Sequence, residues 1–185
     1  MYTSFPRSMS RNHESFAKGV EKTIGLGIEP GNVSSFANTV GVLSYMTLST
    51  WERKMMLYKS LGLSHEEALT MFKNQPSCFA LSDKRTKIKM DFFTQKLGIS
   101  PSRLVSYPNI FLLSLEKRIF PRCCVLKLLI TKGFIQTILL YHFRMTAQNF
   151  FHTFVEEYKD RVPEIVDAYN GKFEFEGLKL TNVLE

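Results

Sequence analysis

Two octapeptides decide how this chain is read: QPSCFALS, Gln75 to Ser82, and YPNIFLLS, Tyr107 to Ser114. In both, a leucine stands five residues after the proline and a serine six residues after it. Proline inside a helix removes a backbone donor and clashes with the preceding turn, so Pro76 and Pro108 read as punctuation between helices. Ser82 and Ser114, with a hydroxyl able to accept from an exposed amide, read as N-caps of the helices that follow. Pro121, seven residues after Ser114, falls inside the second of those helices, where a kink is expected.

Working outward, each such helix ends on a glycine that is followed by an apolar residue and, in three of the four cases, preceded by leucine. Leu26-Gly27-Ile28, Leu61-Gly62-Leu63, Leu97-Gly98-Ile99 and Lys132-Gly133-Phe134 are spaced by 35, 36 and 35 residues, which is a repeat period. Glycine enters the left-handed conformation without steric penalty, so these four positions read as helix C-caps. Ahead of them, apolar residues recur at helical spacing, as in Met56, Leu57 and Leu61, or Phe92, Phe93 and Leu97. After them a shorter helix starts. Ser64 and Glu67 have the spacing of a capping box, and Ser100-Pro101 places proline at the first helical position.

The interval from Gly62 to Pro76 is fourteen residues and from Gly98 to Pro108 ten, a difference of about one helical turn that preserves the buried face. The repeat holding Gly27 has Val40 in the proline slot, and Phe5-Pro6-Arg7 precedes Gly27 at about the distance expected of the mid-repeat proline. The expectation is a chain that starts halfway through a repeat. It comprises a partial repeat over residues 1–27, three helical repeats over 28–133, and a degenerate repeat with an acidic tail over 134–185.

The 185 residues carry a formal charge of +7, and the charge is uneven. Residues 77–150 hold twelve Lys/Arg against three Asp/Glu, whereas residues 151–185 hold four against eight. A basic middle points to an acidic partner such as nucleic acid or an anionic membrane surface. No apolar run approaches the roughly 18 residues of a membrane span, so no membrane partner is expected. Cys78, Cys123 and Cys124 form neither a CxxC pair nor an even framework, which favours a reducing compartment. The four histidines lack metal-ligand spacing, and no phosphate-binding loop or nucleophile elbow occurs, so no catalysis, metal or cofactor is expected.

With period, glycines, prolines and the Leu-Ser pair together, the sequence resembles the mitochondrial transcription termination factor (mTERF) family, particularly its plant branch. The closest segments are TWERKMMLYKSLGLSHEEALTMFKNQP, KMDFFTQKLGISPSRLVSYP and SLEKRIFPRCCVLKLLITKGF, followed by FVEEYKDRVPEIVDAYNGK. The resemblance, from about Pro6 to Gly171, implies an all-α superhelical solenoid of mTERF-like helix-pair repeats. It also implies a basic face for double-stranded DNA or structured RNA, and work in the mitochondrion or, alternatively, the chloroplast, in transcription termination, transcription regulation or RNA maturation. Pentatricopeptide and tetratricopeptide repeats share the period but leave Pro76 and Pro108 unexplained.

Lys84, Arg85, Lys87 and Lys89 open one long helix, and Lys117, Arg118 and Arg122 open the next. Arg85 and Lys117 both stand nine residues after a proline, so these seven cations are the candidate phosphate contacts. Cations near a helix N-terminus oppose its dipole, which suggests that a ligand rewards them. Trp51 and the phenylalanines, including Phe92, Phe93, Phe111, Phe150, Phe151 and Phe154, are assigned to packing. The alternative function is a protein-protein adaptor, with organellar protein partners meeting the acidic tail at Glu156, Glu157, Asp160, Glu164 and Asp167.

Overall fold

The computed structural model describes residues 13–31 and 33–175, and every regular element among them is a helix or helical turn. The chain is all-α, as its punctuation predicts. The described residues fall into two compact units that divide at Lys87 and Ile88. The Phe5-Pro6-Arg7 mark lies outside the described residues.

In the first unit, α1 (His13–Gly25) packs on α2 (Val33–Leu43). Their approach is close at Gly19, where an added Cβ would stand 2.2 Å from Ser44 Oγ and 3.0 Å from the Val40 carbonyl. Next come α3 (Leu48–Ser60), α4 (His65–Asn74), a 3₁₀ turn at Pro76–Cys78, and the start of α5 (Asp83–Asp91). The expected capping box on α4 is present: Ser64 N–H donates to Glu67 at 2.7 Å and Glu67 N–H to Ser64 Oγ at 3.1 Å. Trp51, Tyr58, Phe72 and Phe79 form the aromatic core, with Tyr58 stacked on Phe79 at 4.7 Å. The α3 face turned inward carries Met55, Leu57 and Tyr58; Met56, assigned to it by spacing, is 71% exposed.

The second unit continues from α5 through a π turn (Phe92–Lys96) to α6 (Pro101–Val105) and a 3₁₀ turn at Pro108–Leu112. A π turn (Leu115–Ile119) runs directly into α7 (Phe120–Thr131), followed by α8 (Leu140–Arg144) and α9 (Ala147–Phe151). A third π turn (His152–Glu156) and α10 (Ile165–Tyr169), which packs on α7, complete it. Phe93, Phe111, Phe143 and Phe150 are fully buried here, and Phe92 and Phe154 nearly so; Phe151 is the exception, at 37% exposure.

All four predicted glycines adopt positive φ, from 68° to 93°, and Gly171, at 74°, adds a fifth. The residue after the glycine closes each helix end by donating five residues back, as Leu63 N–H does to the Tyr58 carbonyl at 3.2 Å and Phe134 N–H to Leu129 at 2.9 Å. Ile99 reaches six residues back, to Phe93 at 3.0 Å, because the π turn in this helix takes up one extra residue. Both prolines open 3₁₀ turns between helices, in agreement with their reading as separators.

The N-caps set the repeat frame. Thr47, Ser82, Ser114 and Thr146 each accept from the amide three residues on, at 3.1 to 3.3 Å. Counting six residues back from each cap places the proline slot at Gly41, Pro76, Pro108 and Leu140. The slot is therefore Gly41 and not Val40, because the hydroxyl cap that sets the frame in this repeat is Thr47.

Each cap is preceded by a carbonyl that a cation from the previous long helix holds. Lys22 Nζ donates to Met46 at 2.9 Å, Lys54 to Leu81, Lys89 to Phe111 and to Leu113 at 2.6 Å. Arg122 Nη1 donates to His142, Phe143 and Met145 at 2.8 to 2.9 Å, and Nη2 to Thr146 at 3.2 Å. Carbonyls at the end of a helical turn lack intrahelical partners and carry the negative end of the local dipole, so a buried cation is well matched to them. Lys54 and Lys89 stand seven residues after their caps but Arg122 eight, and the π turn at Leu115–Ile119 absorbs the difference. That turn, with Ile119 N–H on Ser114 and Phe120 N–H on Leu115, ends two residues before Pro121. The helix passes the proline by widening rather than by breaking.

Substituting Lys89 with methionine keeps the stem and removes the ammonium. Hydrogen bonds to a charged group contribute more than neutral ones, so Lys89→Met should cost about 1–3 kcal/mol, read as a lower urea midpoint at unchanged slope. Lys87→Met, two residues away and exposed, should stay within about 0.5 kcal/mol of the parent.

Candidate nucleic-acid interface

The seven cations singled out in the sequence divide into two populations. Lys84, Arg85 and Lys87 project from the first two turns of α5 and are exposed, as is Lys117 at the head of the following long helix. Arg85 and Lys117 occupy one register: each is the third residue after its serine cap, and each offers its amide to that serine. The first belongs to one compact unit and the second to the other.

Lys89 and Arg122 do not belong with them. Their side chains are 9% and 3% exposed and their donors are spent on the main-chain carbonyls before the next cap, which corrects their reading as phosphate contacts. Burial, with a smaller contribution from Arg118, pulls the Arg122 guanidinium down to about 10, which leaves it charged at neutral pH. Its guanidinium also lies 4.4 Å from the Phe150 ring centroid, a cation–π contact inside the core. Arg118 is intermediate. Its Nη2 donates to the Met145 carbonyl at 2.5 Å and weakly to Arg144 at 3.4 Å, while its Nε is buried with no hydrogen-bond partner among the described residues.

Sequence reasoning passed over Arg53 and Asp83. Arg53 is exposed near the middle of α3 and pairs with Asp83, the first residue of α5. Asp83 also accepts from Lys54 at 2.7 Å, and the hydrogen bonds from Lys54 and Arg53 hold its carboxyl below the usual carboxylate range. Both residues line a cleft of about 670 Å³ with Gly41, Tyr45, Thr50 and Ser82. The signal was available: Asp83 is the single acid in the run Asp83–Lys89, DKRTKIK.

On the acidic tail, Glu156 meets His152, Glu157 meets Arg161, Glu164 meets Lys132 and Asp167 meets Lys172. Among the described residues no helix is long and apolar enough to cross a membrane, and no group of His, Cys, Asp and Glu is arranged to hold a metal ion.

Repeated helix pairs with glycine C-caps, mid-repeat prolines and an exposed basic register define an all-α helical-repeat protein. The chain belongs to the mTERF family, whose profile matches residues 1–151. No curated protein and no solved structure matches the chain significantly. Membership carries a coarse functional reading, nucleic-acid binding in organellar transcription or RNA regulation, in a family that is generally non-catalytic. Residues 152–171, the rest of the stretch that resembles the family, lie beyond the match.

His142, whose carbonyl Arg122 holds, supplies a pH test of this corner of the fold. Burial pushes its imidazole down to about 4, and its Nδ1 accepts from Leu139 N–H at 3.2 Å, a bond that only the unprotonated nitrogen can make. An unfolded histidine takes a proton near 6.5, so the unfolded chain binds more protons below that pH. Stability should therefore fall as pH drops from about 6.5 towards 4, and urea midpoints across that window should fall less steeply in His142→Gln.

Proposed function

We propose that this protein binds double-stranded DNA or structured RNA through the exposed cations Lys84, Arg85, Lys87 and Lys117, and thereby regulates or terminates organellar transcription or aids RNA maturation. The observation that carries the reading is the separation of the cations by use. Lys54, Lys89 and Arg122 are consumed within the fold, whereas Arg85 and Lys117 recur at one register, exposed, against the mild penalty of a helix N-terminus. Exposed cations at a fixed register in successive repeats suit a phosphate backbone, which carries charge at regular intervals but no sequence information.

The finer assignments follow the resemblance to the plant branch: a mitochondrial site of action, with the chloroplast as alternative, and helical repeats bounded near Gly27 and Gly133. The ion pairs along the acidic tail support a solvated face there, so a protein-binding adaptor role remains the second reading.

Replacing Arg85 and Lys117 together with glutamine should lower affinity for every duplex or RNA tested. It should also flatten the plot of log affinity against log salt by about one unit for each lost contact, with helical circular dichroism unchanged. The exposed pair Lys159 and Lys172 is the control and should change the slope little. Equal losses from both pairs would reduce the effect to net charge. Crosslinking in organelles, with sequencing of both bound DNA and bound RNA, separates the two polymers; enrichment of neither favours the adaptor.

A further inference from the structure

Asp83 stands where an interface for phosphate would least want a negative charge, directly before Lys84 and Arg85 and four residues before Lys87. Its two oxygens are shared out: Oδ1 accepts from the buried Lys54 at 2.7 Å, and Oδ2 accepts from the exposed Arg53. Asp83 helps to satisfy the buried Lys54, which holds the Leu81 carbonyl where Lys89 holds Phe111 and Leu113 and Arg122 holds four carbonyls, but an acid at this position is not a general feature of the repeat. The positions equivalent to Asp83, directly after the caps Thr47, Ser114 and Thr146, hold Leu48, Leu115 and Ala147. Lys89 and Arg122 reach the same carbonyls before their caps with no acid at that position. Lys54 donates to the Leu81 carbonyl as well as to Asp83.

Beyond its bond to Lys54, Asp83 adds a hold on Arg53 that no other repeat has at this position. Arg53 is 53% exposed along its side chain and Asp83 35%, so the pair sits at the surface of the basic head of α5 and not in the core. A guanidinium engaged on a carboxylate presents fewer free donors to phosphate, and the carboxylate itself repels it.

We propose that Asp83 is an affinity-limiting counter-ion, which keeps Arg53 latched away from the nucleic acid and so weakens the grip of the basic face made by Lys84, Arg85 and Lys87. The proposal rests on the nucleic-acid reading above. Asp83 acts on binding through Arg53 and needs no contact of its own with the ligand.

The full chain and three variants, Arg53→Gln, Asp83→Asn and the double variant, are compared on a short duplex of arbitrary sequence over a series of salt concentrations, and by elution from a heparin column. Asp83→Asn should tighten binding about threefold to tenfold and steepen the salt slope by about one unit, as one further cation becomes free for phosphate. Arg53→Gln alone should leave the slope within a few tenths of the parent, because Arg53 is already engaged. The double variant should return to the parental slope. Helicity and urea midpoint are measured for all four; Arg53→Gln alters only an exposed side chain and remains informative if Asp83→Asn is poorly folded. A one-unit loss of slope in Arg53→Gln, an unchanged or weaker Asp83→Asn, or a double variant as steep as Asp83→Asn would each overturn the latch. Absence of salt-dependent binding by the parent would overturn the nucleic-acid reading and the latch with it, so the two failures are distinct.

Discussion

The fold depends on one recurring contact, a buried cation on a long helix holding the carbonyl that precedes the cap of the next. Lys54, Lys89 and Arg122 make it deep in the structure, at 3%, 9% and 3% exposure, and Lys22 makes a more exposed version with Met46. A buried charge is costly unless its donors are satisfied, and here the donors meet carbonyls at the ends of helical turns, of which that of Thr146 also accepts from Phe150 N–H. Because the contact joins a helix to the turn that starts the following helix, it ties each repeat to the next at one register.

That register is kept against variation in helix length. The interval from cap to glycine is fifteen residues from Thr47 to Gly62, sixteen from Ser82 to Gly98 and nineteen from Ser114 to Gly133. Both longer helices contain a π turn, which accommodates one residue without shifting the face presented to the core. In the helix after Thr146 the corresponding positions hold Thr153 and Phe154 in place of a cation, and Phe154 packs against His142 at 4.9 Å. The cation series thus stops in the repeat whose helix is shortest, close to where the family match ends.

The same contact sorts the basic residues by role. The seven candidate cations look alike as a list, yet Lys89 and Arg122 are committed to the backbone while Lys84, Arg85, Lys87 and Lys117 face solvent. Asp83 sits between the populations, with one oxygen on a buried cation and the other on an exposed one. A buried and an exposed cation therefore meet at a single carboxylate, next to the exposed basic residues at the head of α5.

The sequence by itself determined the helical class, the period, the glycine C-caps, the proline separators and the Ser64 capping box, because each rests on local stereochemistry: a positive φ, a missing amide, a hydroxyl three residues from a donor. It also determined the shared register of Arg85 and Lys117, which is a matter of counting from a cap. Only the tertiary structure decided which cations are buried. The carbonyls that receive Lys89 and Arg122 lie 20 to 24 residues away in the chain, and no local rule connects a lysine on one helix to the carbonyl oxygens of a later turn. The partnership of Arg53 with Asp83, thirty residues apart, was hidden for the same reason. Met56 shows the limit even within one helix: its spacing fits the core face, but the packing of neighbouring elements chose Met55, Leu57 and Tyr58 instead.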